Sequence, residues 1–195
     1  MSYDPQNVFA RILRGELPCT KICEDRATLA IMDIMPQADG HSLVITREPA
    51  ETIFDLSPEA AAACIVTTQR IARAAQKALR APGILISQIN GSAAGQSVPH
   101  VHFHIIPRWP GVPLKRHGSE RADPSRIEEY ARRIIAALQR IQKTEDRRQK
   151  GDLSAVNCPL STPFVGLAGR IGRGTCERED GQRSGMPRVN CLRKA

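Results

Sequence analysis

Alternating apolar and polar positions divide the chain into short predicted strands and three predicted helices. The strands are runs rich in β-branched and aromatic residues, and each is bounded by turn-forming residues. Short links such as Asp25-Arg26 favour hairpins over long crossovers. The pattern therefore predicts an α+β fold with a mainly antiparallel sheet of about five strands and two main helices. The predicted strands are residues 21–24, 28–33, 41–46, 84–89 and 98–106.

Each predicted helix begins at a polar residue that precedes a proline. Asp4, Ser57 and Asp123 are followed directly by proline, and their side chains can accept hydrogen bonds from the amides of a first helical turn. Apolar residues then recur at three- and four-residue intervals, as on the buried face of a helix. Gly15 ends the short first helix, and a Pro-Gly pair at residues 82–83 ends the second.

The periodic pattern fades after about residue 145. We therefore predict one domain over residues 1–145 and an irregular or disordered C-terminal extension over residues 146–195. Of the formal net charge of +8, the extension carries +5. The domain itself is only mildly basic and has no stripe of cations interleaved with aromatic residues. This distribution argues against a nucleic-acid partner.

The cysteines and the N-terminus indicate where the protein resides. None of the six cysteines forms a Cys-x-x-Cys pair, so the expected state is reduced thiols in the cytoplasm. The first residues lack the basic and apolar segments of a signal peptide. No apolar run approaches the ~20 residues that span a bilayer. We therefore expect a cytoplasmic protein with no membrane partner.

Three of the five histidines alternate along the last predicted strand. Successive side chains of a strand point to opposite faces, so His100, His102 and His104 should share one face at intervals of about 6.6 Å. A purely structural role is disfavoured because the strand adjoins a loop of small and polar residues, 90–97. The intervening residues on the other face are apolar, namely Val101, Phe103 and Ile105.

Two chemical roles for the histidines remain open. In a metal site they would act as imidazole ligands, but the nearest free carboxylates in sequence, Glu120 and Asp123, lie in or beyond a proline-rich loop. In phosphoryl chemistry a neutral imidazole is the nucleophile and its neighbours donate hydrogen bonds. The glycines and polar side chains of the 90–97 loop suit an anion, which favours the second role.

Residues 95–106, with the sequence Gly-Gln-Ser-Val-Pro-His-Val-His-Phe-His-Ile-Ile, resemble the signature of the histidine-triad family of nucleotide hydrolases and transferases. Residues 8–18, 30–38 and 41–45 match the family in order and spacing, so the resemblance covers roughly residues 3–110. It implies a phosphoramidase-like hydrolase that releases a nucleoside monophosphate such as AMP. The substrates would be phosphoramidates or dinucleoside polyphosphates.

The resemblance also implies a role for each residue of the cluster. His102 would attack the α-phosphorus and form a nucleotidyl-histidine, which water then hydrolyses. His100 and His104 would orient it and bind phosphate oxygens, and His41 would support the cluster. The remaining implied contacts are Gln96 and Ser97 with the phosphate and leaving group, Asn90 with the phosphate, Asp33 with the ribose, and an apolar base pocket of Val8, Phe9, Ile12, Ile31 and Ile34.

Departures from the family pattern bear on metals and on the leaving group. Some bacterial relatives hold a structural zinc, but the matching positions here are Asn7, Ala10 and Pro49, so no metal or other cofactor is expected. Pro99 replaces what is often an aromatic residue.

The family usually forms a homodimer, which is the expectation here, with a purine nucleotide as substrate. The alternative function is a regulatory module that binds a purine nucleotide with little catalysis.

Overall fold

The computed structural model describes residues 3–116, 118 and 120–154. Eight regular elements follow one another along this part of the chain, together with two short 3-10 turns at Ile53–Asp55 and Ser92–Ala94. The elements are α1 (Val8–Leu13), β1 (Lys21–Glu24), β2 (Thr28–Met32), β3 (Ser42–Thr46), α2 (Pro58–Leu79), β4 (Gly83–Gln88), β5 (His102–Arg108) and α3 (Pro124–Ser154).

The five strands form one sheet in the order β1-β2-β3-β5-β4, and every neighbouring pair is antiparallel. The predicted α+β class and antiparallel sheet are therefore confirmed. β5 lies between β3 and β4, with Leu43 opposite His104 and Ile45 opposite His102. Residues directly opposite each other in a sheet share a face, so both histidines project on the side of Leu43 and Ile45.

Helices cover both faces of the sheet. The long helices α2 and α3 pack on one face, where Ile71 and Ile134 meet Val44, Phe103 and Ile105. The short helix α1 packs on the other face. There Phe9 lies among Leu29, Ile31, Leu43 and Ile45. The period-two alternation of β5 therefore sends its apolar residues toward the long helices and His102 and His104 toward α1.

The start of α2 lies where the sequence predicts it. The Ser57 hydroxyl accepts a hydrogen bond from the Ala60 amide, and Pro58 occupies the first turn. Glu48 accepts hydrogen bonds from both the amide and the hydroxyl of Ser57, so the cap is tied to the end of β3. The helix ends at Leu79, followed by Arg80 in a left-handed conformation.

The first helix begins at Val8, so its predicted start at Asp4 is wrong. Asn7 is the capping residue, because its side-chain oxygen accepts a hydrogen bond from the Ala10 amide at 2.9 Å. The Asn7 side-chain amide also donates to the Asp4 carbonyl. Two side chains were available as caps, and the buried one, Asn7, takes the role.

The histidine strand is shifted from its predicted bounds of 98–106 and runs from His102 to Arg108. Before it, the His100 amide donates to the Val98 carbonyl, and the Val101 amide donates to Ala50. His100 therefore precedes the strand. Pro107 fits within it because β3 begins at Ser42, opposite Ile105, so that Pro107 pairs only with β4. A strand with one neighbour tolerates proline.

The last helix begins at Pro124 as predicted and is longer than its apolar stripe suggested. α3 passes the predicted boundary at residue 145 and ends at Ser154, so residues 146–154 are helical rather than irregular. The rest of the predicted extension, residues 155–195, lies outside the described residues. Among the helices that the structure describes, none combines the length and the apolar character needed to cross a bilayer.

Candidate active site

A cavity of about 160 Å³ opens between α1 and the histidine face of the sheet. Nine of the residues singled out from the sequence line it together: Val8, Phe9, Ile12, Ile31, Asp33, Ile34, Ser97, His102 and His104. A wider groove between α2 and α3 is lined mainly by arginine, lysine and alanine and contains no histidine. The smaller cavity, in contrast to this groove, combines an apolar wall with polar groups able to do chemistry.

His102 lies at the centre of the site, and one hydrogen bond determines which of its ring nitrogens is protonated. Its Nδ1 is 2.7 Å from the His100 carbonyl oxygen, and a carbonyl only accepts, so Nδ1 carries the proton. When the ring is neutral, its lone pair is therefore on Nε2. The ring is 4% exposed and packs edge-on against Phe9 and His104, each at 4.8 Å between ring centroids.

His100 is held as a neutral imidazole behind His102. Its Nε2 donates to the Thr46 carbonyl at 2.8 Å, and its Nδ1 accepts from the Tyr3 hydroxyl. Burial lowers the pKa of His100 below its usual value, because desolvation penalises the charged ring. His100 does not line the cavity; it contributes the backbone carbonyl that orients His102.

His41 and His104 form a second bonded pair. His41 Nδ1 accepts from the Gln37 amide at 3.1 Å, so its proton lies on Nε2 and is donated to His104 Nδ1 at 3.0 Å. The proton of the His104 ring then lies on Nε2. Asp33 is nearby: one carboxylate oxygen accepts from the Met35 amide, and the other lies 3.3 Å from His41 Nδ1.

Among the described residues, one group could hold a metal ion: Asp33, His41 and His104, whose ligand atoms lie within 4.8 Å of one another. A metal here would replace the hydrogen bond between the two imidazoles. These three residues are not the His100, His102 and His104 set that the sequence offered as alternative metal ligands. His102 and His100 are instead joined through a backbone carbonyl.

The 90–97 loop is braced by the two amide side chains that were expected to contact phosphate. Asn90 accepts from the Ile53 amide at 2.8 Å. Gln96 accepts from the Gly91 amide at 2.6 Å and donates to the Glu51 carbonyl at 2.7 Å. Neither side chain lines the cavity, whereas Ser97 does. In this arrangement Asn90 and Gln96 hold the loop that presents Ser97.

Several residues of the site were not found from the sequence. Tyr3 contacts His100 across 97 positions of the chain, and Cys19 and Met35 are among the other residues that line the cavity. Long-range contacts of this kind leave no periodic or spacing signal. Cys19 could have been marked only by its place directly after Pro18, at the end of the α1 segment.

Comparison with known proteins identifies the family. The family model described as HIT domain matches residues 14–111, about half of the chain. The chain belongs to the HIT domain family. Within that family, the adenosine 5'-monophosphoramidase hnt1 of Schizosaccharomyces pombe is 36% identical over 117 residues, covering 55% of this chain and 85% of the relative. The adenylylsulfatase HINT3 of Arabidopsis thaliana is 36% identical over 138 residues, covering 67% of this chain and 70% of the relative.

Solved structures of HIT proteins share the fold. A HIT-like protein from Bartonella henselae superposes with a TM-score of 0.68 at 41% identity, covering 70% of this chain and 99% of that one. A zinc-bound histidine-triad protein from Mycobacterium smegmatis gives a TM-score of 0.64 at 40% identity, covering 71% of this chain and 97% of that one. The two relatives named as a monophosphoramidase and an adenylylsulfatase support nucleotide hydrolase function in this family.

Proposed function

We propose that the protein hydrolyses nucleoside phosphoramidates or dinucleoside polyphosphates and releases a nucleoside monophosphate, with AMP as the expected product. The observation that carries the proposal is the hydrogen bond from His102 Nδ1 to the His100 carbonyl, which leaves the lone pair on Nε2 of a ring that lines the cavity. Relatives named as a monophosphoramidase and an adenylylsulfatase support the same class of reaction.

In the proposed first step, His102 Nε2 attacks the α-phosphorus of the bound nucleotide. A P–N bond to the imidazole forms while the bond from phosphorus to the leaving group breaks. The ring becomes positively charged, and its Nδ1 proton is already directed at the His100 carbonyl, which stabilises that charge. The leaving group takes a proton as it departs, and we assign the donation to the Ser97 hydroxyl at the cavity wall.

In the proposed second step, water attacks the same phosphorus and gives a proton to the Ser97 oxygen, which restores the hydroxyl, while the bond from phosphorus to His102 breaks. The nucleoside monophosphate leaves, and His102 returns to its neutral tautomer. His104, with its proton on Nε2, is a hydrogen-bond donor for a phosphate oxygen in both steps. His41 acts through His104, since it donates to His104 Nδ1 and fixes the proton on the opposite nitrogen.

The proposed nucleotide lies with its base against α1 and β2. Val8, Phe9 and Ile31 give that end of the cavity an apolar wall suited to a purine ring. The Asp33 carboxylate, oriented by the Met35 amide, is the acceptor we assign to the ribose hydroxyls. Asn90 and Gln96 contribute by holding the loop in place. Their donor groups are already used within the protein, because the Asn90 amide donates to Gln88 Oε1 and the Gln96 amide donates to the Glu51 and Val98 carbonyls.

The test of the proposal is turnover of adenosine 5'-phosphoramidate by the wild type and by His102→Ala. We expect kcat to fall by at least about 10³-fold, as for loss of a covalent nucleophile. The matched control is Phe54→Ala, a side chain that is 84% exposed and outside the cavity. Unchanged turnover in the His102 variant, or turnover lost only on chelation, would refute the mechanism. Nucleotide binding without turnover in the wild type would favour the regulatory module.

We also propose that the protein is a homodimer. β4 has a strand neighbour on one side only, and Leu85 and Ile86 on it are partly exposed. Ile65 and Val66 of α2 are more than half exposed and line the same apolar groove as Ile86. An open edge beside an exposed apolar face suits a second copy that extends the sheet.

The proposed location is the cytoplasm. All three cysteines in the part of the chain that the structure describes, Cys19, Cys23 and Cys64, are free thiols. Free thiols are the usual state in a reducing compartment. We propose the nucleotide as substrate, and we propose neither a nucleic-acid nor a membrane partner.

A further inference from the structure

The N-terminal segment reaches back to the cluster through Tyr3. The Tyr3 hydroxyl is hydrogen-bonded to His100 Nδ1, and the two rings lie 5.6 Å apart at a tilt of 59°. His100 Nε2 must donate, because its partner is the Thr46 carbonyl. Nδ1 of the neutral ring can then only accept, which makes the tyrosine the donor. Tyr3 and Thr46 therefore hold His100 in one tautomer and one ring orientation.

The segment that carries Tyr3 is itself fastened to α1. The Asn7 side-chain amide donates to the Asp4 carbonyl at 2.7 Å, and Arg14 donates to the Pro5 carbonyl at 2.7 Å. Asn7 also caps the helix, so the same residue fixes the segment and the helix start. These bonds anchor the residues that directly follow Tyr3 and keep its hydroxyl over His100.

We propose that Tyr3 is a positioning residue for the nucleophile, acting on His102 through His100. This inference rests on the proposed function and deepens it. Without the hydroxyl, buried Nδ1 of His100 loses its donor, and the ring must turn or change tautomer to find another. Either change disturbs the bond to the Thr46 carbonyl, which ties residue 100 to the end of β3. The backbone carbonyl of residue 100, which accepts the His102 Nδ1 proton, then loses that anchor. The share of His102 that presents a lone pair on Nε2 then falls.

The kinetic test compares wild type with Tyr3→Phe, which keeps the ring and removes the hydroxyl. We expect kcat for adenosine 5'-phosphoramidate to fall about tenfold, the rate equivalent of one hydrogen bond. KM should stay within twofold because Tyr3 does not line the cavity. The control is Tyr130→Phe, since the only other tyrosine is hydrogen-bonded to Arg126 on α3 and does not line the cavity that contains His102. It should leave both constants unchanged.

The second measurement is the tautomer of His100, read from the ¹⁵N shifts of its two ring nitrogens. The wild type should have Nε2 protonated and Nδ1 unprotonated, and Tyr3→Phe should show a mixture of tautomers or a shifted Nδ1. A merely structural role would lower the melting temperature without changing these shifts. Unchanged shifts and unchanged kcat in Tyr3→Phe overturn the inference. If the wild type has no turnover, the proposed function fails, and the ¹⁵N shifts alone decide the role of Tyr3.

Discussion

His102 owes its chemical character to a backbone carbonyl. Four neighbouring imidazoles could exchange protons in many ways, but carbonyl and amide partners restrict them. The His100 carbonyl assigns the proton of His102, the Thr46 carbonyl that of His100, and the Gln37 amide that of His41. Because backbone groups cannot change their role as donor or acceptor, the cluster is preorganised in one protonation pattern before a substrate arrives.

At the residue scale, the thiols of Cys19 and Cys23 test which side chains line the cavity. Cys19 and Cys23 are both partly exposed, and burial raises the pKa of each. Only Cys19 lines the cavity. We predict that AMP slows alkylation of Cys19 by iodoacetamide and leaves Cys23 unaffected, as measured by mass spectrometry of the two peptides. Buried Cys64, whose pKa burial raises to about 11, should stay unmodified until the protein unfolds. Equal protection of Cys19 and Cys23 would contradict the assigned cavity.

Burial of His100 predicts a pH dependence of stability. Desolvation lowers the pKa of His100 in the fold, so the unfolded chain binds a proton below about pH 6.5 that the folded chain does not. Stability should therefore be greatest above that pH and fall as the pH decreases, by up to about 1.4 kcal/mol per pH unit for this group. The free energy of unfolding that separates wild type from His100→Asn should shrink between pH 7 and pH 5. A constant or growing difference in urea unfolding would contradict this.

At the scale of elements, the sequence predicts helices and strands correctly where capping residues and the alternation of apolar positions alone determine them. Ser57 and Asp123 precede α2 and α3 as expected, because each lies at a start with no competing cap. The first helix had two available caps, and burial of Asn7 against the sheet side decided between them. β5 was misplaced at both ends because its partners, Ala50 and Ile84, are distant in sequence.

In the candidate site, too, the features set by local sequence pattern were predictable, and those set by tertiary contacts were not. The alternation of His102 and His104 and the apolar residues of α1 and β2 brought nine predicted residues to one cavity. Asn90 and Gln96 have the residue types of a phosphate loop, yet their side chains bond to backbone groups near residues 51–53. The choice between ligand and loop brace depends on a tertiary contact, which no spacing in the sequence encodes.

Gly40, in the turn before β3, and Gly15, just after α1, offer a matched pair of substitutions. Gly40 and Gly15 both have φ of +77°, but a Cβ on Gly40 would lie 2.2 Å from Leu79 Cδ1, whereas one on Gly15 would meet nothing within 4 Å. Gly15→Ala should cost about 1 kcal/mol for the left-handed backbone alone. Gly40→Ala should cost about 1–3 kcal/mol more, because the buried Leu79 must shift. Equal losses in the free energy of unfolding by urea would contradict this packing.

At the scale of the whole molecule, the exposed apolar face of β4 and α2 is where a second copy is expected to pack. Ile86→Lys places a charge on a residue that is now 44% exposed beside the open strand edge. We predict that the wild type sediments at about twice the 21.4 kDa of one chain and that this variant sediments at the mass of one chain. Phe54→Lys, outside that face, should keep the wild-type mass.

Two results would contradict the proposed dimer. One is a wild type that sediments as a single chain at micromolar concentration. The other is an Ile86 variant that remains paired. Circular dichroism of both variants separates loss of pairing from loss of folding.

Trapping of the covalent intermediate shows directly whether His102 is the nucleophile. Enzyme in excess over adenosine 5'-phosphoramidate is quenched within a single turnover and digested, and fragmentation mass spectrometry separates His102 from His100 and His104. We predict an adenylyl group on His102 that appears before AMP is released, and no adduct in His102→Ala. Release of AMP with no adduct on any histidine, or an adduct on His100 or His104, would contradict it.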